Sequence, residues 1–246
     1  MSSGWKDSRL GFKVLRRPAT PSLNLTRLVK LSTANVSDIM GKLLTFDYRI
    51  KPVIPLKERV AGFAITVAVR PGDNPVIFKA MELAQPGDVI VIADEFDTDN
   101  SLLGGVMAAM AAAKGIVAFV TDGLVRDAEE LEHVGLPVFA QGLTPKAPSW
   151  GGRVGQINTP ICCGGVIVHP GDVVMGDKDG VVVVPTADVE TVLSRGKDLK
   201  QKEWGWLHPA TADGYSLYEK AHAELVRLGC NFEASPESQI AEGGTQ

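Results

Sequence analysis

The sequence predicts an α/β protein folded as one domain, and three observations carry that reading. Residues 89–93 and 116–120 are short, unbroken apolar runs, the pattern of strands covered on both faces. Helix-like segments lie on either side of them, giving βα alternation. Further along, short β-branched runs are separated by Gly and Asp turns.

Taken in order, residues 1–21 are polar and proline-punctuated and read as an N-terminal arm rather than core. Ser32 or Thr33 can cap a helix running to Met40, with Gly41 as its stop. Residues 59–69 read as a strand interrupted at Gly62. Pro71-Gly72-Asp73-Asn74 makes a turn, and Pro75 suits the first position of a helix ending near Ala84. Pro86-Gly87-Asp88 turns the chain into the 89–93 strand. A helix over 104–113, stopped by Gly115, then leads into the 116–120 strand. Short strands are expected over 137–140, 165–169, 173–175 and 181–184. A final helix starts after Pro185, with Thr186 as cap, and continues past Lys200. The Pro-Gly-Asp turns recur at no fixed period, which excludes a solenoid. No linker divides the middle, so 22–230 reads as a single domain and 231–246 as a flexible tail.

Composition narrows the function classes. At 246 residues the chain can bury a substantial core. A net charge of −4, with basic clusters no longer than dipeptides such as Arg16-Arg17, excludes a nucleic-acid footprint. The three cysteines (adjacent Cys162 and Cys163, and Cys230 near the end) make no disulfide framework and fit a reducing compartment. No segment approaches the ~18 apolar residues of a membrane span, and no signal-like stretch opens the chain. A soluble cytoplasmic protein with no membrane partner is expected.

The chemistry concentrates in one segment. Gly104-Gly105 opens a helix, where unpaired amides and the positive helix end suit a carboxylate or phosphate. The plain alternative is a loop-to-helix turn. Arg126-Asp127 follows a buried strand and an Asp-Gly turn, at the carboxyl end of the sheet where ligands usually sit. Arg126 offers a planar fork for a carboxylate or developing enolate. Asp127 offers oxygen to a hard cation such as Mg²⁺ or Mn²⁺. Here the alternative is simple helix-start electrostatics.

Other chemistries lack support. The four histidines are scattered and no Cys-x-x-Cys occurs, which argues against zinc. No Gly-x-Gly-x-x-Gly or Walker loop is present. Cys162-Cys163 reads as strand-entry packing, and Lys79 as part of a solvated helix face.

Gly105, twenty intervening residues, Arg126-Asp127, two more and Glu130 together resemble the signature of the class II pyruvate aldolases. Those enzymes act on 4-hydroxy-4-methyl-2-oxoglutarate and 4-carboxy-4-hydroxy-2-oxoadipate, and are related to the regulators of ribonuclease E activity. The likeness extends over about 32–185, through Gly62, Gly72-Asp73-Asn74, Pro86-Gly87-Asp88, Cys163-Gly164-Gly165-Val166 and Asp179-Gly180-Val181. It implies an α/β/β/α layered fold of the swivelling type, in trimers or hexamers with active sites between subunits. It also implies that Gly104, Gly105, Val106, Met107 and Arg126 hold the pyruvyl group and that Asp127 binds Mg²⁺ or Mn²⁺. Asn74 matches a polar residue near the pocket. Glu203 is the candidate for a water-mediated metal contact from a neighbouring subunit. Phe78 stands where these aldolases often have histidine, and the segment around Trp204 and Trp206 departs from their pattern. The implied activity is retro-aldol cleavage of a 4-hydroxy-2-oxo di- or tricarboxylic acid to pyruvate through an enolate, with oxaloacetate decarboxylation beside it. The alternatives are a non-catalytic ribonuclease-regulator-like binding protein and another lyase or decarboxylase of the same enolate class.

Overall fold

The computed structural model of the chain describes residues 11–150, 154–207 and 216–232. The segment expected as an arm holds strand β1 (Phe12–Val14), and Ser32 caps α1 (Thr33–Ile39). The Ser32 hydroxyl accepts the Asn35 N–H while the Asn35 side chain accepts the Ser32 N–H, a reciprocal capping box. Next come β2 (Lys51–Pro52), β3 (Val60–Val69), α2 (Pro75–Leu83), β4 (Asp88–Ala93), α3 (Gly105–Ala113) and β5 (Ala118–Thr121). Then follow β6 (Leu124–Val125), α4 (Ala128–Val134), β7 (Val138–Ala140) and β8 (Gly142–Leu143). The remaining strands are β9 (Gly155–Ile157), β10 (Ile161–Cys163), β11 (Val166–Val168), β12 (Val173–Asp177) and β13 (Gly180–Val184). Helices α5 (Val189–Leu207) and α6 (Ser216–Arg227) follow.

Strands β3, β4, β5 and β7 lie side by side and parallel. The far edge of β3 is shared: β12 pairs antiparallel with residues 60–63 and β9 with residues 67–69. β13 extends β12, and β1 pairs in parallel with β9 at the sheet edge.

Alternation along these strands sorts side chains into layers. Ile65, Val67, Ile90, Ile92 and Phe119 face α2, α3 and α4 in one core. Ala64, Val89, Val91 and Val120 face the other way, onto Val174, Val181 and Val183 of β12 and β13. The opposite faces of those two strands, Val173, Met175, Val182 and Val184, pack on Val36 of α1 and on Val189 and Val192 of α5. Helices, sheet, sheet and helices thus stack as an α/β/β/α sandwich, as the resemblance implied.

Two sequence expectations are corrected. Gly62 does not interrupt its strand: β3 runs through it, and a Cβ there would overlap the Gly87 carbonyl and reach 2.9 Å from Val89 and Val117 side chains. Thr186 does not cap α5. A 3₁₀ turn (Thr186–Asp188) precedes that helix, and the Thr186 hydroxyl donates to the Gly171 carbonyl instead.

The described part of the expected arm, residues 11–21, is tied to the sheet. Besides β1, the Arg17 guanidinium donates from Nε and Nη2 to both oxygens of buried Asp88, each at 2.7 Å. By contact the chain divides into compact units at 1–198 and 199–246. Among the α5 positions whose burial is described, to 203, the last buried one is Gly196, and every residue described from 218 to 232 is exposed. The expected tail lies outside the described residues from 233 onward. Among the described residues no helix is long and apolar enough to cross a membrane.

Candidate active site

The carboxyl ends of the parallel strands carry the loops that build the site. Backbone bonds tie these loops together: Leu102 N–H to Leu124 O, Arg126 N–H to Leu103 O, Thr144 N–H to Val125 O, and Ser101 N–H to Lys146 O. The short pair β6–β8 adds a further tie. Residues far apart in sequence are thereby fixed around one cavity of about 380 Å³. Its lining includes Asn74, Gly104, Val106, Met107, Arg126 and Asp127. A second cavity of about 280 Å³ adjoins Arg126 and Asp127 on the side of Leu143 and Thr144.

Asp127 is the most constrained group here. It sits at the cap position of α4 with left-handed backbone (φ 62°, ψ 54°), a conformation that costs a non-glycine residue energy. Its side chain makes no capping bond to α4. Instead Oδ2 accepts the Gly105 N–H at 3.2 Å, and Arg126 Nε lies 3.4 Å from the same oxygen. The carboxylate thus bonds the first amide of α3 and none of its own helix. It lies at the cavity wall against the opening of α3.

That closeness explains Gly104-Gly105. A Cβ on Gly104 would overlap Asp127 Oδ2, and one on Gly105 would overlap Cβ of Glu130. Val106 and Met107 fall in the first turn of α3, where amides have no intrahelical acceptor. Asn74, at the head of α2, is buried. Its Nδ2 donates to Leu102 O at 3.2 Å, and its Oδ1 has no partner within the described residues. Glu203 lies on α5 in the 199–246 unit.

Sequence reasoning missed the acids beneath the site. Asp94 and Asp122, at the ends of β4 and β5, are both buried. Asp122 accepts the Asp94 and Gly164 N–H groups, while Asp94 Oδ1 accepts Gly72 N–H at 3.1 Å. These bonds brace the turn that carries Asn74. Asp94 Oδ2 has no partner within the described residues. Burial, helped by Asp97, Asp122 and Glu95 nearby, pushes the Asp94 carboxyl up to about 8. Burial also raises Asp122, against the bonds it accepts, and raises Asp73.

For Asp94 the folded value exceeds the unfolded one, so the folded chain holds a proton that the unfolded chain releases. Its contribution to stability is complete below the ordinary carboxylate range and is lost as pH rises to about 8. The slope should approach ~1.4 kcal/mol per pH unit. Asp94→Asn is expected to flatten that decline when urea unfolding is followed from about pH 4 to about pH 8. An unaltered slope in the variant would assign it elsewhere.

The sequence model of the RraA-like family, described as Aldolase/RraA, matches residues 33–183. The chain belongs to the RraA-like family. A putative 4-hydroxy-4-methyl-2-oxoglutarate aldolase of Halalkalibacterium halodurans is 40% identical over 173 residues, 70% of this chain and 81% of that protein. A 4-hydroxy-4-methyl-2-oxoglutarate aldolase of Thermus thermophilus is 34% identical, over 52% of this chain and 77% of the relative. Among solved structures, Streptomyces coelicolor RraAS2, described as an unusual member of the RNase ES inhibitor RraA family, superposes with a TM-score of 0.69. It is 27% identical, and the match covers 76% of this chain and 96% of that one. Strand β1 and the Arg17–Asp88 pair's arginine lie before the family match begins.

Proposed function

We propose that this RraA-like chain is a divalent-metal-dependent lyase of the class II aldolase type, cleaving a 4-hydroxy-2-oxo acid to release pyruvate. Oxaloacetate decarboxylation should accompany it, because both reactions pass through the pyruvate enolate. The observation that carries the proposal is the meeting of Asp127, Arg126 and the opening of α3 in one cavity. The aldolase names of two relatives support it.

The donor set fits a hard cation. Asp127 brings a carboxylate oxygen to the wall, and among the described residues no group of three or more His, Cys, Asp or Glu could enclose a metal. One carboxylate suits Mg²⁺ or Mn²⁺, which keep waters and accept substrate oxygens as ligands. When bound, the ion supplies Lewis-acid polarisation of the 2-oxo acid.

The chain's own groups do the rest. Amides at the start of α3 receive the pyruvyl carboxylate, and the Arg126 fork stabilises charge as the enolate develops. Asn74 lines the cavity and ties its turn to the Leu102 carbonyl through Nδ2. In the cleavage the C3–C4 bond breaks and its electron pair passes to C3 as the enolate. The 4-hydroxyl loses its proton to water as its oxygen becomes a carbonyl, and protonation at C3 gives pyruvate. Water takes that role because, among the described lining residues, Asp127 is the only carboxylate and none is histidine. In this proposal the sites form between subunits of a trimer or hexamer, and Glu203 of a neighbour would help hold the ion through water.

Arg126→Lys keeps the charge and loses the planar fork. Turnover to pyruvate, followed by coupled reduction, is expected to fall ~10²–10³-fold, as for loss of a preorganised oxyanion donor. Unchanged kinetics would remove Arg126 from the mechanism. A second reading, regulation of a ribonuclease by contact without catalysis, is favoured by the RraAS2 likeness. Pyruvate release that depends on added metal would exclude it.

A further inference from the structure

Resting on the lyase reading above, we infer that Asp94 is a positioning residue for this site: without touching substrate, its buried carboxyl group sets the cavity wall that carries Asn74 and Trp150. A line of hydrogen bonds crosses the ends of the strands and passes through that group. Asp122, at the end of β5, accepts the Asp94 N–H at 2.6 Å. Asp94 Oδ1 accepts the Gly72 N–H at 3.1 Å, in the turn between β3 and α2. The Gly72 carbonyl accepts the Ser149 N–H at 2.7 Å, and the Ser149 carbonyl accepts the Asn74 N–H at 3.4 Å. Gly72 has a left-handed φ of 74°, and a Cβ there would come within 2.9 Å of Asn100, so the turn is held on that side too. From this clasp Asn74 enters the cavity lining, and Ser149 stands between two further lining residues, Pro148 and Trp150. The Trp150 ring meets that of Phe78 on α2, their centroids 5.5 Å apart. Every link in this line is internal to one chain, and Asp94 is fully buried within it.

The charge on Asp94 decides whether the clasp is tight. Burial pushes its carboxyl up to about 8, so near neutral pH it is an uncharged acid that still accepts from Gly72. Once ionised it faces Asp122 on β5 and Glu95 and Asp97 on its own loop, all of which oppose the charge. The turn carries Arg70 and Asp73, which act on each other, and β10 presents the Cys163 thiol, which burial keeps protonated. A buried anion so placed draws in water, and the turn loosens. Asp94→Asn keeps a neutral acceptor for Gly72 and cannot ionise. Asp94→Ala leaves the Gly72 amide unpaired.

The test separates the two sides of the cavity. Oxalate binding in Mg²⁺ reads the side formed by Arg126, Asp127 and the α3 amides. Pyruvate release from 4-hydroxy-4-methyl-2-oxoglutarate or oxaloacetate, whichever the full-length parent cleaves faster, reads the whole site. Thermal melts establish that each protein is folded at the assay temperature. Asp94→Ala is expected to lower kcat/KM at least about tenfold, as misplaced positioning groups do. Its oxalate affinity should stay within about twofold of the parent, because that side is held independently. Asp94→Asn should restore the parent kcat/KM at about pH 7, and from there to about pH 9 only the parent should decline. Oxalate affinity of the parent and the asparagine variant should follow one curve over that range. An alanine variant with the parent's kcat/KM would overturn the inference. So would a parallel alkaline decline in the parent and Asp94→Asn, which decides the matter even if the alanine protein does not fold. Joint loss of kcat/KM and oxalate affinity in Asp94→Asn would reduce Asp94 to a general structural role and overturn it as well. A parent that binds oxalate yet cleaves neither compound would sink the lyase reading itself, and this inference with it.

Discussion

Asp127→Asn is expected to reduce pyruvate release from any 4-hydroxy-2-oxo acid by at least ~10²–10³-fold while the protein stays folded. Asparagine keeps the shape and an acceptor for Gly105 N–H, and it tolerates the left-handed backbone at this position. What it removes is the negative charge that would hold a divalent ion. Chelation by EDTA should abolish activity in the wild-type protein to the same extent, and added Mg²⁺ or Mn²⁺ should restore it. Asp127→Ala should lose activity too, with some added instability, because alanine in this conformation costs about 1–2 kcal/mol. Full activity in EDTA, or an asparagine variant as active as the parent, would exclude the metal role.

The second large effect falls on stability. Arg17→Ala leaves the Asp88 carboxylate, fully buried at the start of β4, without its cation. The only bond then left to that side chain among those described is from Gln85 N–H. Removing one member of a buried pair costs about 3–5 kcal/mol. For a chain of this size that lowers Tm by roughly 6–20 °C at about 2–4 °C per kcal/mol. Arg17→Lys should recover part of the loss, since charge returns without the two-pronged fit that holds both oxygens. Calorimetric melts of the three proteins check this. A melt of Arg17→Ala matching the parent would show that the Arg17–Asp88 pair adds nothing to stability.

That arginine shows where sequence reading stops. The βα units were legible because each leaves a local mark: unbroken apolar runs at 89–93 and 116–120, Pro75 at a helix start, Gly115 just past a helix end. Arg126-Asp127 was legible because it follows such a strand directly. Arg17 and Asp88 lie 71 positions apart, and nothing near either announces the other. β1 and β9 are three residues each, too short for an alternation pattern, and β1 forms by pairing with a strand far along the chain, Phe12 opposite Gly155.

Within the site, the strand and helix pattern brings the Gly104 loop and Arg126-Asp127 toward one end of the sheet, and the family signature reinforces that reading. That the Asp127 carboxylate turns away from its own helix depends on a backbone torsion no residue type dictates. Asp94 and Asp122 look like ordinary turn residues in the sequence. Their burial follows from Gly164 and Gly72 folding over them. The Phe78–Trp150 pair is likewise a product of two loops meeting.

Titration with oxalate, a mimic of the pyruvate enolate, tests the central assignment most directly. In a calorimeter, oxalate should bind the wild-type protein saturably in Mg²⁺, bind negligibly in EDTA, and bind weakly to Asp127→Asn and Arg126→Lys even with Mg²⁺. Oxalate binding that is indifferent to EDTA and to both substitutions would contradict the account.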